Sequence, residues 1–308
     1  MKIKVAKDGV ETLSRSTKAN SASHTNAALK WDSLAEGWKE AGPPSSPSKE
    51  DIQNYRRFLL GAIRTVPHPK VMVLGCTPRL RRMLARLDIA VTCVDISRRM
   101  LVITSAGGGT RHIGTEKLIN ENWLRMNLGE HQFAAILGDK VFDNVAFVEW
   151  ATLRRRIGWH LRPGGSFITR VAPCDADLFE SSFTALLARW VLRYKRKDVT
   201  CREAASGLWE QALGASTRMV PGPQTLRVFA KEFEALDSRY GNKASAEGQL
   251  MREFKRLFGR GFNFEWTAYT LGNVIDALDG DLALMRLSRS RDYAVGLRQP
   301  VLEFRAPI

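Results

Sequence analysis

Between Lys70 and Val171, short apolar runs alternate with stretches whose apolar residues recur every three or four positions, so strands and helices are expected in turn. Val71-Met-Val-Leu74 predicts a first strand, followed by the turn Gly75-Cys-Thr-Pro78 and a helix from Arg79 to Leu87. Ala90-Val-Thr-Cys-Val94 predicts a second strand ending at Asp95, with a helix opening near Ser97. After a break at Gly107-Gly-Gly-Thr110, Lys117 to Asn120 reads as a weak third strand and Phe133-Ala-Ala-Ile-Leu137 as a strong fourth. A helix from Glu149 to Leu161, closed by Arg162-Pro-Gly-Gly165, leads to a fifth strand from Ser166 to Val171. Strands joined through helices in this way form a parallel sheet, because the crossover must travel back along the sheet face.

The flanks follow other patterns. Residues 1–29 are polar and predict an arm, disordered or loosely docked. In 30–69, Trp31-Asp-Ser-Leu-Ala-Glu-Gly-Trp38 predicts a short helix that Gly42-Pro-Pro must break. Ser48 then caps a second helix, with Glu50 and Asp51 in its first turn and Tyr55, Phe58, Leu59 and Ile63 at helical spacing. Residues 70–175 form the predicted sheet core, and 176–260 are helical in pattern, with Phe179, Phe183, Leu186, Leu187 and Trp190 as a packing stripe. Residues 261–308 offer Phe262 to Trp266 and Val301 to Phe304 as strands that complete a sheet of seven. The fold class expected is therefore α/β: a doubly wound, mostly parallel seven-stranded sheet with N-terminal helices and a helical insertion or lid.

Composition narrows this only slightly. A chain of 308 residues with 44% hydrophobic side chains can bury a large core, and its longest apolar runs are far too short to span a bilayer. No secretory h-region stands near the start, and Cys76, Cys93, Cys174 and Cys201 show neither metal-ligand nor disulfide spacing. A cytoplasmic location without membrane contact or bound metal is expected, with Cys76 and Cys93 as small buried hydrophobes. The net charge of +15 raises nucleic acid as a partner. It is spread, however: +5 over residues 1–70, +7 over 71–172 and +3 over 173–308, in short arginine groups without interleaved aromatics. A solvated basic surface is the simpler expectation.

Candidate chemistry gathers where the first two strands end, because ligands of open parallel sheets bind beyond the carboxyl ends of the strands where their order reverses. Gly75 lacks a side chain at that point, and the turn after it delivers peptide N–H groups at a helix start. The full G-x-G-x-x-G of dinucleotide sites is absent, since Gly75 is followed by Cys-Thr-Pro-Arg-Leu80. Asp95, about 20 residues on, either accepts the hydroxyl protons of a ribose or caps the next helix.

These pieces, with Asn122-Trp-Leu-Arg-Met-Asn-Leu128, Leu137-Gly-Asp139 and Leu161-Arg-Pro-Gly-Gly-Ser-Phe167 in the same order, resemble the class I, Rossmann-like S-adenosylmethionine-dependent methyltransferases from about Trp31 to Pro173. The Trp31 to Trp38 segment with its Gly-Pro-Pro-Ser continuation resembles the entry helices of a subgroup that acts mainly on small molecules. The resemblance implies S-adenosylmethionine as cofactor: Gly75, Cys76 and Thr77 at its methionine part, Asp95 on the ribose, Ile96 beside the adenine and Asn122 accepting from the adenine amino group. Trp123 is an aromatic wall or a core anchor. Gly138 and Asp139 come to the methyl group, with Asp139 as the general base and His24 or Tyr55 as second choices. Two departures stand out. Thr77 and Pro78 replace the later glycines of the first loop, and Lys140 stands where a Gly is more familiar.

The function implied is methyl transfer to an O or N atom of a small-molecule acceptor, in secondary metabolism. An RNA or protein acceptor, and a cofactor-binding protein without turnover, stay open as alternatives, as does a homodimer. The first predicts an enclosed acceptor pocket, the second an open basic cleft beside Asp139 and the third no pocket at the methyl group.

Overall fold

A computed structural model of the chain describes residues 2–5, 10–14, 21–38, 41–106, 116–174, 182–216, 222–225, 227–259 and 265–308. The break at Gly107 to Thr110 lies outside them. Strands β1 (Lys2–Val5) and β2 (Val10–Ser14) precede helices α1 (Ser21–Trp38) and α2 (Lys49–Ile63). The alternating core runs β3 (Lys70–Leu74), α3 (Pro78–Arg86), β4 (Ala90–Asp95), α4 (Arg98–Ala106), β5 (Glu116–Asn120), β6 (Phe133–Asp139), α5 (Trp150–His160) and β7 (Leu161–Arg170). Helices α6 (Phe183–Lys195), α7 (Cys201–Ser216), α8 (Arg227–Tyr240) and α9 (Ala246–Phe258) follow, with β8 (Gly222–Thr225) among them and β9 (Glu265–Ala268) after. The chain closes with α10 (Leu271–Leu278), β10 (Ala283–Ser288) and β11 (Val301–Arg305).

The large sheet has the order β1-β2-β5-β4-β3-β6-β7-β11-β10. Its central pairings are parallel, and β11 runs antiparallel to both β7 and β10. Seven of these strands make the expected doubly wound sheet, and the β1–β2 hairpin extends it beyond β5, an addition that a polar arm did not foretell. Period-2 alternation sorts the side chains to two faces. Met72 and Leu74 join the cluster under α5 and α10, whereas Val71 and Val73 join the cluster under α2, α3 and α4. Burial on both faces is why these strands read as unbroken apolar runs.

Most predicted elements appear within a few residues of their expected limits. The capping box at Ser48 is complete: its hydroxyl accepts from the Asp51 amide, and the Asp51 carboxylate accepts from the Ser48 amide. One strand was misplaced. Glu265–Ala268 pairs with β8 in a separate two-stranded sheet, and β10 takes the seventh place in the large one. The cause is burial: β10 lies on the sheet edge with Leu284, Met285 and Leu287 exposed, so it carries no apolar alternation to detect. The helices α6 to α9 enclose a third apolar cluster of their own, around Phe183, Trp190, Trp209 and Phe254.

Strand order reverses between β3 and β6. Their carboxyl ends lie side by side at that switch point. Gly138, near the end of β6, packs too closely for any side chain: a Cβ there would stand 2.3 Å from Val141 Cγ2. Gly138→Ala is therefore expected to cost about 1–3 kcal/mol, and less in a Val141→Ala background, as read by urea denaturation.

Candidate active site

The carboxyl ends of β3, β4 and β6 open into a cavity of about 540 Å³. Gly75, Cys76, Thr77, Asp95, Ile96, Asn122 and Trp123 all line it. Gly75 has a φ of +92°, and its amide donates to Val94 O at 2.9 Å. The Trp123 indole N–H reaches the same carbonyl at 2.7 Å, which draws its ring over the glycine. A Cβ on Gly75 would stand 3.5 Å from that ring and 3.9 Å from Asp95 Oδ2. Trp123 is thus a wall of the cavity, half-buried, and the missing side chain at Gly75 leaves the corner open.

Asp95 makes the helix-start contact the sequence offered and still keeps one oxygen toward the cavity corner. Its Oδ1 accepts from the Ser97 amide at 2.7 Å, an Asx turn at the start of α4, while Oδ2 faces Gly75. Asn120 Nδ2 holds the carbonyls of Asp95 and Ile96 at 3.0 and 2.8 Å, fixing the backbone beneath the carboxylate. Burial pushes the Asp95 carboxyl up to about 6, against the opposing pull of the Ser97 amide and the Cys76 thiol. Cys76 itself is buried beside it, its thiol pushed well up by burial, and Cys93 is likewise buried. Asn122 Oδ1 already accepts from the Leu124 amide at 2.9 Å, so only its second lone pair is open to a ligand.

Three expected roles need correction. Gly138 is not among the cavity's lining residues, and its carbonyl accepts from the Tyr55 hydroxyl at 2.6 Å, so its small size serves packing. Tyr55 is fully buried, with its hydroxyl also accepting from the Arg170 amide at 2.6 Å and burial holding its pKa well above the usual value. Both bonds are structural, which removes Tyr55 as a base. Asp139 does line the cavity, but Arg170 forks onto it, Nε to Oδ1 at 2.7 Å and a terminal nitrogen to Oδ2 at 3.0 Å. A carboxylate with both oxygens committed to a buried guanidinium is a poor proton acceptor. The His24 side chain lies outside the described residues.

Residues to which the sequence assigned no part in the cavity complete the site. Asp143 lines the cavity, accepts from the Tyr269 hydroxyl, and is pushed up to about 7 by burial. Lys140 has a φ of +54°, the left-handed region that suits the glycine more familiar at this point, and its Nζ lies 2.5 Å from Glu210 Oε2 of α7. Trp31 and Trp38 of α1, Trp209 of α7 and Trp266 of β9 form another wall. The spacing Asp139-Lys-Val-Phe-Asp143 was visible, but which carboxylate would be left unpaired depended on Arg170, whose place at the end of an apolar strand was the overlooked signal.

Arg170 carries the densest polar network. Besides Asp139 it reaches Asp51 Oδ2 at 3.2 Å, the Tyr293 hydroxyl at 3.1 Å and Gln299 Oε1 at 3.3 Å. Among the described residues, no cluster of three His, Cys, Asp or Glu side chains is arranged to hold a metal, and no helix is long and apolar enough to cross a membrane.

No protein-family profile matches the chain, and no curated protein does. Solved structures do. The CcbJ methyltransferase of Streptomyces caelestis is 14% identical over 92% of this chain and 99% of its own, with a TM-score of 0.55. The N-methyltransferase NodS of Bradyrhizobium japonicum WM9, solved with S-adenosylhomocysteine, is 12% identical over 91% and 99%, with a TM-score of 0.50. A structure described as a putative Zn-dependent alcohol dehydrogenase of Rhodobacter sphaeroides is 14% identical over 92% and 98%, with a TM-score of 0.52. The chain is a doubly wound α/β protein with a ligand cavity at its switch point. Its fold is the Rossmann-like fold of the class I S-adenosylmethionine-dependent methyltransferases.

Arg170→Met is expected to lose about 3–5 kcal/mol of stability, because it strands Asp139 and Asp51 as buried charges. Asp139→Asn in the same chain should recover part of that loss, and denaturant melts of the single and double variants measure both.

Proposed function

We propose that this protein is an S-adenosylmethionine-dependent methyltransferase acting on an O or N atom of a small molecule. The observation that carries this reading is the single cavity that joins the Gly75–Asp95 corner at the switch point to Asp143 and the tryptophan wall. The corner fits the cofactor: a left-handed glycine whose missing Cβ leaves room, and a carboxylate with one oxygen braced by Ser97 and the other facing the space. When bound, S-adenosylmethionine supplies a sulfonium methyl, which passes to the acceptor as its carbon–sulfur bond breaks and S-adenosylhomocysteine is left.

The chain's own residues position and deprotonate. Asp95 accepts the ribose hydroxyls, Ile96 and Asn122 flank the base, and Trp123 closes over the methionine side. Asp143 takes the proton shed by the acceptor, a role moved here from Asp139 because Arg170 occupies the latter. A buried carboxylate with a pKa near 7 is suited to that transfer at neutral pH. Helices α1 and α7 cover the acceptor side and limit water, the function of a lid. An RNA acceptor gains no support, because the lining holds Asp95, Asp139, Asp143, Glu149 and Glu210 against only Arg125 and Lys140 as cations.

Calorimetry with S-adenosylhomocysteine, alongside transfer of labelled methyl to a panel of small hydroxyl and amino compounds, tests the proposal. Absence of binding at millimolar ligand would overturn it. Because ribose hydroxyls bond the ionised form of Asp95, affinity should be full above pH 6 and fall as the pH drops through about 6. Asp95→Asn should weaken binding by about 2–3 kcal/mol at pH 8 and remove most of that pH dependence.

The methyl-transfer rate should rise with pH through about 7, since only ionised Asp143 accepts a proton. Asp143→Asn should lower kcat by about a hundredfold or more while leaving S-adenosylhomocysteine affinity unchanged. A variant with the rate and pH profile of the unmodified protein would remove Asp143 from the chemistry.

A further inference from the structure

Five of the chain's eight tryptophans, Trp31, Trp38, Trp123, Trp209 and Trp266, line the one cavity, a concentration that composition alone would not produce. Four of them meet edge to face: Trp31 and Trp38 at 5.1 Å between centroids, Trp31 and Trp266 at 5.8 Å, and Trp209 and Trp266 at 5.6 Å. Trp209 is in turn stacked on Phe258 at 4.8 Å. Indoles locked by such contacts present a rigid apolar wall that favours flat ligands over flexible ones.

Besides Lys140 Nζ, which is ion-paired with Glu210, two buried side-chain atoms of the lining residues have no hydrogen-bond partner among the described residues. Trp266 is only 7% exposed, yet its Nε1 donor is unpaired. Asn144 spends its Nδ2 on Lys140 O at 2.9 Å, and its buried Oδ1 is unpaired. A buried donor and acceptor left unpaired in residues that line a cavity are costly unless a ligand completes them. Three cations near the wall are, by contrast, engaged within the protein. Lys140 pairs with Glu210, Arg170 with Asp139, and Lys30 Nζ stands 3.7 Å from the Trp266 ring centroid, where a cationic ligand would otherwise be drawn.

We propose, building on the methyltransferase reading above, that the acceptor is a neutral, planar aromatic compound carrying a ring hydroxyl or N–H group. Its ring packs against the tryptophan wall, and its polar edge accepts from Trp266 Nε1 and donates to Asn144 Oδ1. Non-aromatic alcohols lack the flat face, and ammonium compounds meet Lys30 at the face of the Trp266 ring.

The test is calorimetry on the full chain with 2-naphthol, with cyclohexanol and choline as the non-aromatic and cationic comparisons, each with and without saturating S-adenosylhomocysteine. The expected result is 2-naphthol binding at least about tenfold tighter than either comparison. Trp266→Phe, which keeps an aromatic ring and removes the N–H, should weaken 2-naphthol about tenfold, with its thermal melt and S-adenosylhomocysteine affinity unchanged as the check on folding. Equal affinity for the three probes, tighter choline binding, or a Trp266→Phe variant with undiminished 2-naphthol affinity overturns the proposal. Failure of S-adenosylhomocysteine to bind overturns the methyltransferase reading instead, and the titrations without it still decide the aromatic class.

Discussion

A guanidinium with no exposed surface must find its compensation inside the protein, and Arg170 imposes that demand at the end of β7. Its four partners come from three places that are distant in sequence: Asp139 at the tip of β6, Asp51 in the capping box of α2, and Tyr293 and Gln299 in the loop before β11. Its amide is held by the Tyr55 hydroxyl, which also holds Gly138 O of β6. Strand tips, N-terminal helix and C-terminal loop are therefore tied at one charge. The floor of the cavity is rigid because that charge cannot be moved without leaving carboxylates buried and unpaired.

The same network divides labour between two carboxylates four residues apart. Burial raises both carboxyls, but Arg170 holds both oxygens of Asp139, whereas Asp143, pushed up to about 7, has the charge of Lys140 and the Tyr269 hydroxyl to ease it and keeps one oxygen out of a guanidinium fork. Different pairing of two neighbouring acids is how one site separates a structural carboxylate from one free to handle a proton. Gln299 also reaches Glu210 at 3.4 Å, and Glu210 pairs with Lys140. The polar network thus runs from the sheet into α7, so the helices over the cavity are keyed to the strand tips by a buried ion pair as well as by apolar contact.

The basic groups that stood out in the sequence have varied uses. Arg81 is buried and forks onto Glu116, with a further bond to Thr104. Arg154 bonds Asp281 and the carbonyls at Ala277 and Asp279, and Arg156 bonds Leu124 O. These arginines join elements to one another, which is a different use of charge from an open phosphate-binding face.

The sequence by itself determined the strand–helix alternation from Lys70 to Arg170, the capping of α2 and the glycine and aspartate corner at Gly75 and Asp95, because each depends on neighbours within a few residues or on the spacing of one βα unit. Burial on both faces made β3, β6 and β7 legible, and its absence hid β10. Only the tertiary structure decided what the corner opens into. Whether Asp139 or Asp143 keeps a free oxygen depends on an arginine about thirty residues away, and the tryptophan wall joins α1, α7 and β9 across more than two hundred residues of chain. Desolvation and pairing of this kind are set by which groups meet in space, and no local pattern records that.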